Sequence, residues 1–120
     1  MAWTVLIVDD HAGFRGFARR LLEAGGFTVV GEAADGASGL AAAEALRPAV
    51  VLLDVLLPDS DGFTVAERLA EQARRPVVVL TSSRERSDFG SRLDASAATG
   101  FIPKHDLSTE RLAEMAGVGQ

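Results

Sequence analysis

One hundred and twenty residues, 48% of them hydrophobic and 24% charged, make a single domain with a real core and are too few for two. The absence of cysteine removes disulfides, thiolate metal sites and a cysteine nucleophile, and it suits a reducing cytosol. A net charge of -5 argues against nucleic acid as a direct partner of the domain, since such binding needs a concentrated basic surface.

Thr4 to Val8 is β-branched and aliphatic, a predicted strand ending in Asp9-Asp10, and its apolar run is too short for a signal peptide or membrane span. From Gly13 to Gly25 the residues Phe14, Phe17, Ala18, Leu21 and Leu22 recur at threes and fours, one stripe of a helix that Gly25-Gly26 stops. Phe27 to Val30 reads as a second strand, with Gly31 and Ala34-Asp35-Gly36 as the turn. Ala37 to Arg47 is an alanine-rich helix with Leu40, Ala43 and Leu46 on one face, closed by Pro48.

Val50 to Leu53 is a continuous apolar run, the pattern of a central parallel strand buried on both faces, and it ends in Asp54. The cluster Leu57-Pro58-Asp59-Ser60-Asp61-Gly62 then turns the chain, Asp59 and Asp61 serving as turn and capping residues. Phe63, Ala66, Leu69 and Ala70 mark a third helix, capped by Ser60 or Asp61. Pro76 introduces a fourth buried strand, Val77 to Leu80, followed by Thr81-Ser82-Ser83. Arg84 to Ala98 is expected to be helical but weak, because Gly90 and several serines disfavour it. Gly100 to Pro103 is a short fifth strand whose proline suits an edge, ending at Lys104. Thr109 to Ala116 forms a last helix, capped by Ser108 and ended by Gly117.

Five strands alternating with five helices predict an α/β fold, a doubly wound parallel sheet with helices on both faces. In a five-stranded sheet of order 2-1-3-4-5, the ends of strands one, three, four and five are neighbours. Asp9, Asp10, Asp54, Thr81 and Lys104 then converge on one crevice at the carboxyl end of the sheet. Taken singly, Asp9-Asp10 reads as a helix cap, Asp54 as the start of a turn, Thr81 as a turn hydroxyl and Lys104 as a solvated charge. Together they are harder to explain that way. Two carboxylates about 4 Å apart repel by roughly 4 kcal/mol at the effective dielectric of a protein surface, and one lysine cannot neutralise three. An all-oxygen donor set with a partly open shell favours Mg²⁺, or Mn²⁺, which also takes phosphate oxygens. Aspartate is a nucleophile in aspartyl-phosphate chemistry, where the protein's work is positioning and electrostatics.

Four stretches, Val5-Leu6-Ile7-Val8-Asp9-Asp10-His11, Val51-Leu52-Leu53-Asp54 with Leu57-Pro58 and Asp61-Gly62, Val79-Leu80-Thr81-Ser82, and Gly100-Phe101-Ile102-Pro103-Lys104, resemble the receiver domain of two-component response regulators. The resemblance runs through nearly the whole chain and implies one receiver domain over 1–120 with a flavodoxin-like fold. By it, Asp54 is the phospho-acceptor, taking phosphate from a histidine kinase or a phosphotransfer protein. Asp10 and the backbone carbonyl of Leu56 join Asp54 as Mg²⁺ ligands, with Asp9 acting through a metal-bound water. Lys104 pairs with the phosphoryl oxygens, Thr81 swings toward the phosphate, and Phe101 turns from exposed to buried in response. Ser83 and Leu56 face the pocket and tune the lifetime of the phosphoryl group, while His11 is a loop residue that shapes access. The weak fourth helix, with strand five and helix five, is the surface expected to change. The resemblance implies a cytoplasmic signalling domain rather than an enzyme with a separate substrate, and it admits a homodimer formed on phosphorylation.

Many receivers carry a proline directly after the lysine where this chain has His105, so the cis peptide usual there is not assumed. The segment Lys104 to Ser108 looks like receivers that feed helix-turn-helix DNA-binding domains, and the chain ends at Gln120. It is therefore either a free-standing receiver or part of a longer protein whose output domain lies elsewhere. Three other readings compete. A phosphohydrolase of the haloacid-dehalogenase kind would usually carry an aspartate where this chain has Leu56. A nucleotide or flavin module would want a glycine- or hydroxyl-rich cradle after strand one. A receiver fold acting by contacts alone, without phosphorylation, would not need the full acidic, hydroxyl and lysine set.

Overall fold

A computed structural model describes residues 3–117. Five strands, β1 (Thr4–Val8), β2 (Thr28–Ala33), β3 (Val50–Asp54), β4 (Val77–Ser82) and β5 (Gly100–Pro103), form one sheet in the order β2-β1-β3-β4-β5. All pairings are parallel. The helices α1 (Ala12–Ala24), α2 (Gly36–Leu46), α3 (Gly62–Ala70) and α5 (Thr109–Ala116) alternate with the strands as predicted.

The period-two alternation of the strands divides the core into two layers. Val5, Ile7, Val50, Leu52, Val79 and Ile102 point to one side and pack with Ala18 and Leu22 of α1 and Leu112 and Ala116 of α5. Leu6, Val8, Val51, Leu53, Val78 and Leu80 point to the other and pack with Ala43 of α2 and Phe63, Ala66 and Leu69 of α3. β3 is buried along its whole length, because it is central and covered on both faces. Pro103 sits on the edge strand, where a missing N–H costs no ladder bond.

Local chemistry sets the helix starts. Asp61, not Ser60, caps α3 by accepting from Thr64 N–H at 2.9 Å, and Ser108 caps α5 by accepting from Arg111 N–H. Asp35 caps α2 through Ser38 N–H, while Asp59 reaches from the β3–α3 loop to accept from Gly36 and Ala37 N–H. Those bonds hold the Asp59 carboxyl below the usual range. Gly62 is required by close approach: a Cβ there would lie 2.6 Å from the Asp54 carbonyl oxygen and 2.8 Å from Val55 Cα.

Three expectations are corrected. The segment from Arg84 to Ala98 is not one helix; it holds a 3₁₀ turn at Arg86–Asp88 and a single helical turn at Ser91–Asp94, here α4. Gly90 lies between them with φ 55°, and only Phe89, Leu93 and Ala98 give the segment apolar anchorage. The second strand runs on through Gly31 to Ala33, pairing with β1 across a register shift between Val5 and Leu6. On α1, Phe17 is 47% exposed, so the buried stripe is carried by Ala18 and Leu22.

Candidate functional site

The same alternation that builds the α1/α5 layer carries the polar residues with it. Val5-Ile7 leads to Asp9, Val50-Leu52 to Asp54, Val79 to Thr81, and Ile102 to Lys104, each two residues further along a row facing that side. Register brings the rows level. Val8 pairs with Leu53, Asp54 with Thr81, and Thr81 with Ile102. Four chain segments far apart in sequence thus end in one place.

Asp9 is fully buried and Asp54 is 3% exposed, whereas Asp10 is exposed. Lys104, the chain's only lysine, lies with Nζ 2.8 Å from Asp9 Oδ2 and 3.5 Å from Asp54 Oδ2. Asp9 Oδ1 accepts from His11 N–H at 2.8 Å, and Asp54 Oδ1 from Leu56 N–H at 3.2 Å. His11 Nδ1 stands 3.2 Å from Asp9 and 3.1 Å from Asp10, so the imidazole touches both acids. Burial, and then the Asp9 charge, push the Asp54 carboxyl up to about 6 against the smaller opposing pull of Lys104.

Asp9, Asp10, His11 and Asp54 each offer a ligand atom, and these four atoms lie within 4.8 Å of one another. Asp9 Oδ2 is buried without a hydrogen-bond donor, the nearby ammonium making an ion pair rather than an aligned bond. A buried carboxylate oxygen held by one misaligned ammonium keeps room for a further positive charge. A hard divalent cation fits this carboxylate-rich group, and the arrangement can hold one.

Thr81 is buried beside Asp54, and its hydroxyl donates to the Ile102 carbonyl at 2.7 Å, across the sheet rather than toward the acids. Phe101, expected to begin exposed, is 4% exposed here and packs edge-on against Phe89 at 5.6 Å between centroids. Phe89 packs in the same way on Phe63 of α3 at 5.9 Å. The Leu56 side chain is half exposed, and Ser83 is exposed.

Two supports escaped the sequence reading. Arg15 Nη1 donates to the Asp9 carbonyl at 2.6 Å while its Nε donates to Glu32. Glu32 also accepts from Arg19 Nε at 2.7 Å, and Arg19 first, then Arg15, holds its carboxyl below the usual range. The end of β2 therefore braces the loop that carries the acids. Opposite charges on α1 and β2 were the available signal, but pairing them needs the β1–β2 register.

The response regulator receiver domain family model matches residues 5–116. A protein-glutamate methylesterase/protein-glutamine glutaminase of Anaeromyxobacter dehalogenans is 47% identical over 94 residues, 78% of this chain and 27% of that protein. A putative transcriptional regulator of Pseudomonas aeruginosa is 37% identical over 108 residues, 90% of this chain and 52% of that protein. The chain spans between 24% and 60% of the length of these and further curated relatives. The receiver domain of the putative response regulator NarL from Mycobacterium tuberculosis superposes with a TM-score of 0.88 at 31% identity, covering 99% of this chain and 98% of that one. With the predicted strand order observed, the acids gathered at the carboxyl end of the sheet and the family match over almost every residue, this chain belongs to the receiver domains of two-component response regulators.

Proposed function

We propose that the chain is one receiver domain that accepts a phosphoryl group on Asp54, and so controls which protein surfaces it presents. The observation that carries this is the Asp54 carboxylate at the end of the central strand, with Lys104 at 3.5 Å and a buried second carboxylate alongside. The acid closes the central strand at the carboxyl end of the sheet, the side on which open parallel α/β sheets meet their ligands.

In the transfer, a carboxylate oxygen of Asp54 bonds to phosphorus as the bond to the donor's nitrogen or oxygen breaks, and the leaving group keeps the electron pair. No oxidant or added proton is needed at Asp54. Lys104 swings from Asp9 to the new phosphoryl oxygens, and Thr81 exchanges the Ile102 carbonyl for one of them. Asp10, Asp54 and the Leu56 carbonyl would hold Mg²⁺ or Mn²⁺ directly, with Asp9 behind a water. Bound there, the cation supplies positive charge that neutralises the phosphoryl oxygens. The Asp9–Lys104 ion pair is the contact that must yield.

The donor is a histidine kinase or a phosphotransfer protein, in a cytosolic setting. Relatives of this chain include transcriptional regulators and proteins named as methylesterases, and an output partner of either kind is consistent with a receiver that switches contacts. Among the described residues no helix is long and apolar enough to cross a membrane.

Incubation with acetyl phosphate and Mg²⁺, read by intact mass, tests the reading. A gain of one phosphoryl group, lost on removing Mg²⁺ and in Asp54→Asn, is the expected result. No gain with any small donor or phosphohistidine protein would favour the alternative, a receiver fold that works by contacts alone.

A further inference from the structure

Phe14 stands on the first turn of α1, partly buried against the α1/α5 layer, and its ring centroid is 4.5 Å from Lys104 Nζ. We propose that Phe14 is a positioning residue for Lys104, its ring face seating the ammonium next to Asp54; this rests on the reading of Asp54 as phospho-acceptor. Three groups surround that ammonium: Asp9 at 2.8 Å, Asp54 at 3.5 Å and the ring. The first two are the groups a divalent cation would draw upon, and its charge would weaken their hold on Lys104. The ring does not compete for the cation and keeps its attraction. It also covers a side chain that is only 16% exposed, which keeps the ammonium out of bulk water. An aromatic face accepts no proton and makes no ion pair, so its grip gives way when a phosphoryl oxygen appears. An aliphatic side chain of similar bulk would fill the space without attracting the charge.

The chain has one lysine, so lysine-selective ¹³C labelling reports on Lys104 alone. In the wild type and Phe14→Tyr, the Lys104 Hε protons are expected to be shifted upfield by the ring; in Phe14→Leu they return to the position of a free lysine. Phosphorylation by acetyl phosphate with Mg²⁺ is expected to be about three- to tenfold slower in Phe14→Leu, with Phe14→Tyr close to the wild type. Phe14→Met replaces the leucine variant if that one fails to fold. An unshifted Lys104 in the wild type, or leucine and tyrosine variants phosphorylated at one rate, would overturn the proposal while leaving Asp54 phosphorylated. Loss of phosphorylation in the wild type itself would instead overturn the reading of Asp54, and the role of Phe14 with it.

Discussion

Asp54 is a residue at which burial and a neighbouring negative charge both disfavour ionisation. Its ordinary pKa near 3.8 is pushed up to about 6, first by burial and then by Asp9. Between those values the folded chain keeps a proton that the unfolded chain releases. Stability from this group is therefore full below about pH 4 and is lost as pH rises through 6. The full shift corresponds to about 3 kcal/mol, an upper bound that solvent screening lowers. Urea unfolding across pH 4.5 to 7.5, without divalent cation, should show that decline in the wild type and much less of it in Asp54→Asn, which should also be the more stable protein at pH 7.5. A wild-type curve no steeper than that of the variant would mean that the carboxylate is better solvated than its burial implies. Under the proposed function this cost has a use, because an acid destabilised in the free protein has most to gain from binding a cation.

The stretch from β4 to β5 is the least supported part of the fold. Serines, charged residues and Gly90 leave it a 3₁₀ turn and one helical turn, held inward mainly by Phe89 between Phe63 and Phe101. Arg92 covers the outer face of Phe63 at 4.4 Å from its centroid, adding a second weak tie. Elements with few buried contacts open at low free energy and are where a small bias at the site can be read out. Hydrogen exchange with and without a beryllofluoride phosphate mimic should therefore change most over residues 84–98 and along β5 and α5. Equal protection in the two states would remove this surface from the signalling route. Because Phe101 is already inward, the change is expected as a repacking of the Phe63–Phe89–Phe101 contact rather than a burial of Phe101. By contrast, the β3–α3 corner is pinned by Gly62 against the backbone at Asp54, so it should stay rigid.

Across the whole molecule, the two-layer core holds the sheet while the acids crowd one end of it. Coupling between the two follows from linkage: whatever binds the folded acidic cluster and not the unfolded chain raises stability with the logarithm of its concentration. Mg²⁺ should raise the melting temperature of the wild type progressively through the millimolar range, and Asp9→Asn, Asp10→Asn double substitution should abolish the rise. A rise of equal size in that variant would place the cation elsewhere. The overall charge of -5 adds a nonspecific attraction for cations, which matched ionic strength removes from the comparison.

The chain's own pattern determined the strand order's ingredients and the site's address. Short apolar runs at 5–8, 50–53 and 77–80, rich in β-branched residues and bounded by turn signals, read as strands covered on both sides. Their period of two commits Asp9, Asp54 and Thr81 to the side of the sheet that Val5, Val50 and Val79 face. The cap at Ser108 was equally legible, since a cap is satisfied within three residues, while for α3 the sequence offered Ser60 or Asp61 and the fold took Asp61. What tertiary structure alone decided is which partner each polar group takes at a distance. Thr81 turns to the Ile102 carbonyl, Asp59 caps a helix 23 residues back, Glu32 braces the β1–α1 loop through Arg15, and Lys104 lies against Phe14. Local periodicity sets where a side chain starts, but a hydrogen bond or an ion pair is settled by distances of a few ångströms between segments that only the folded chain brings together.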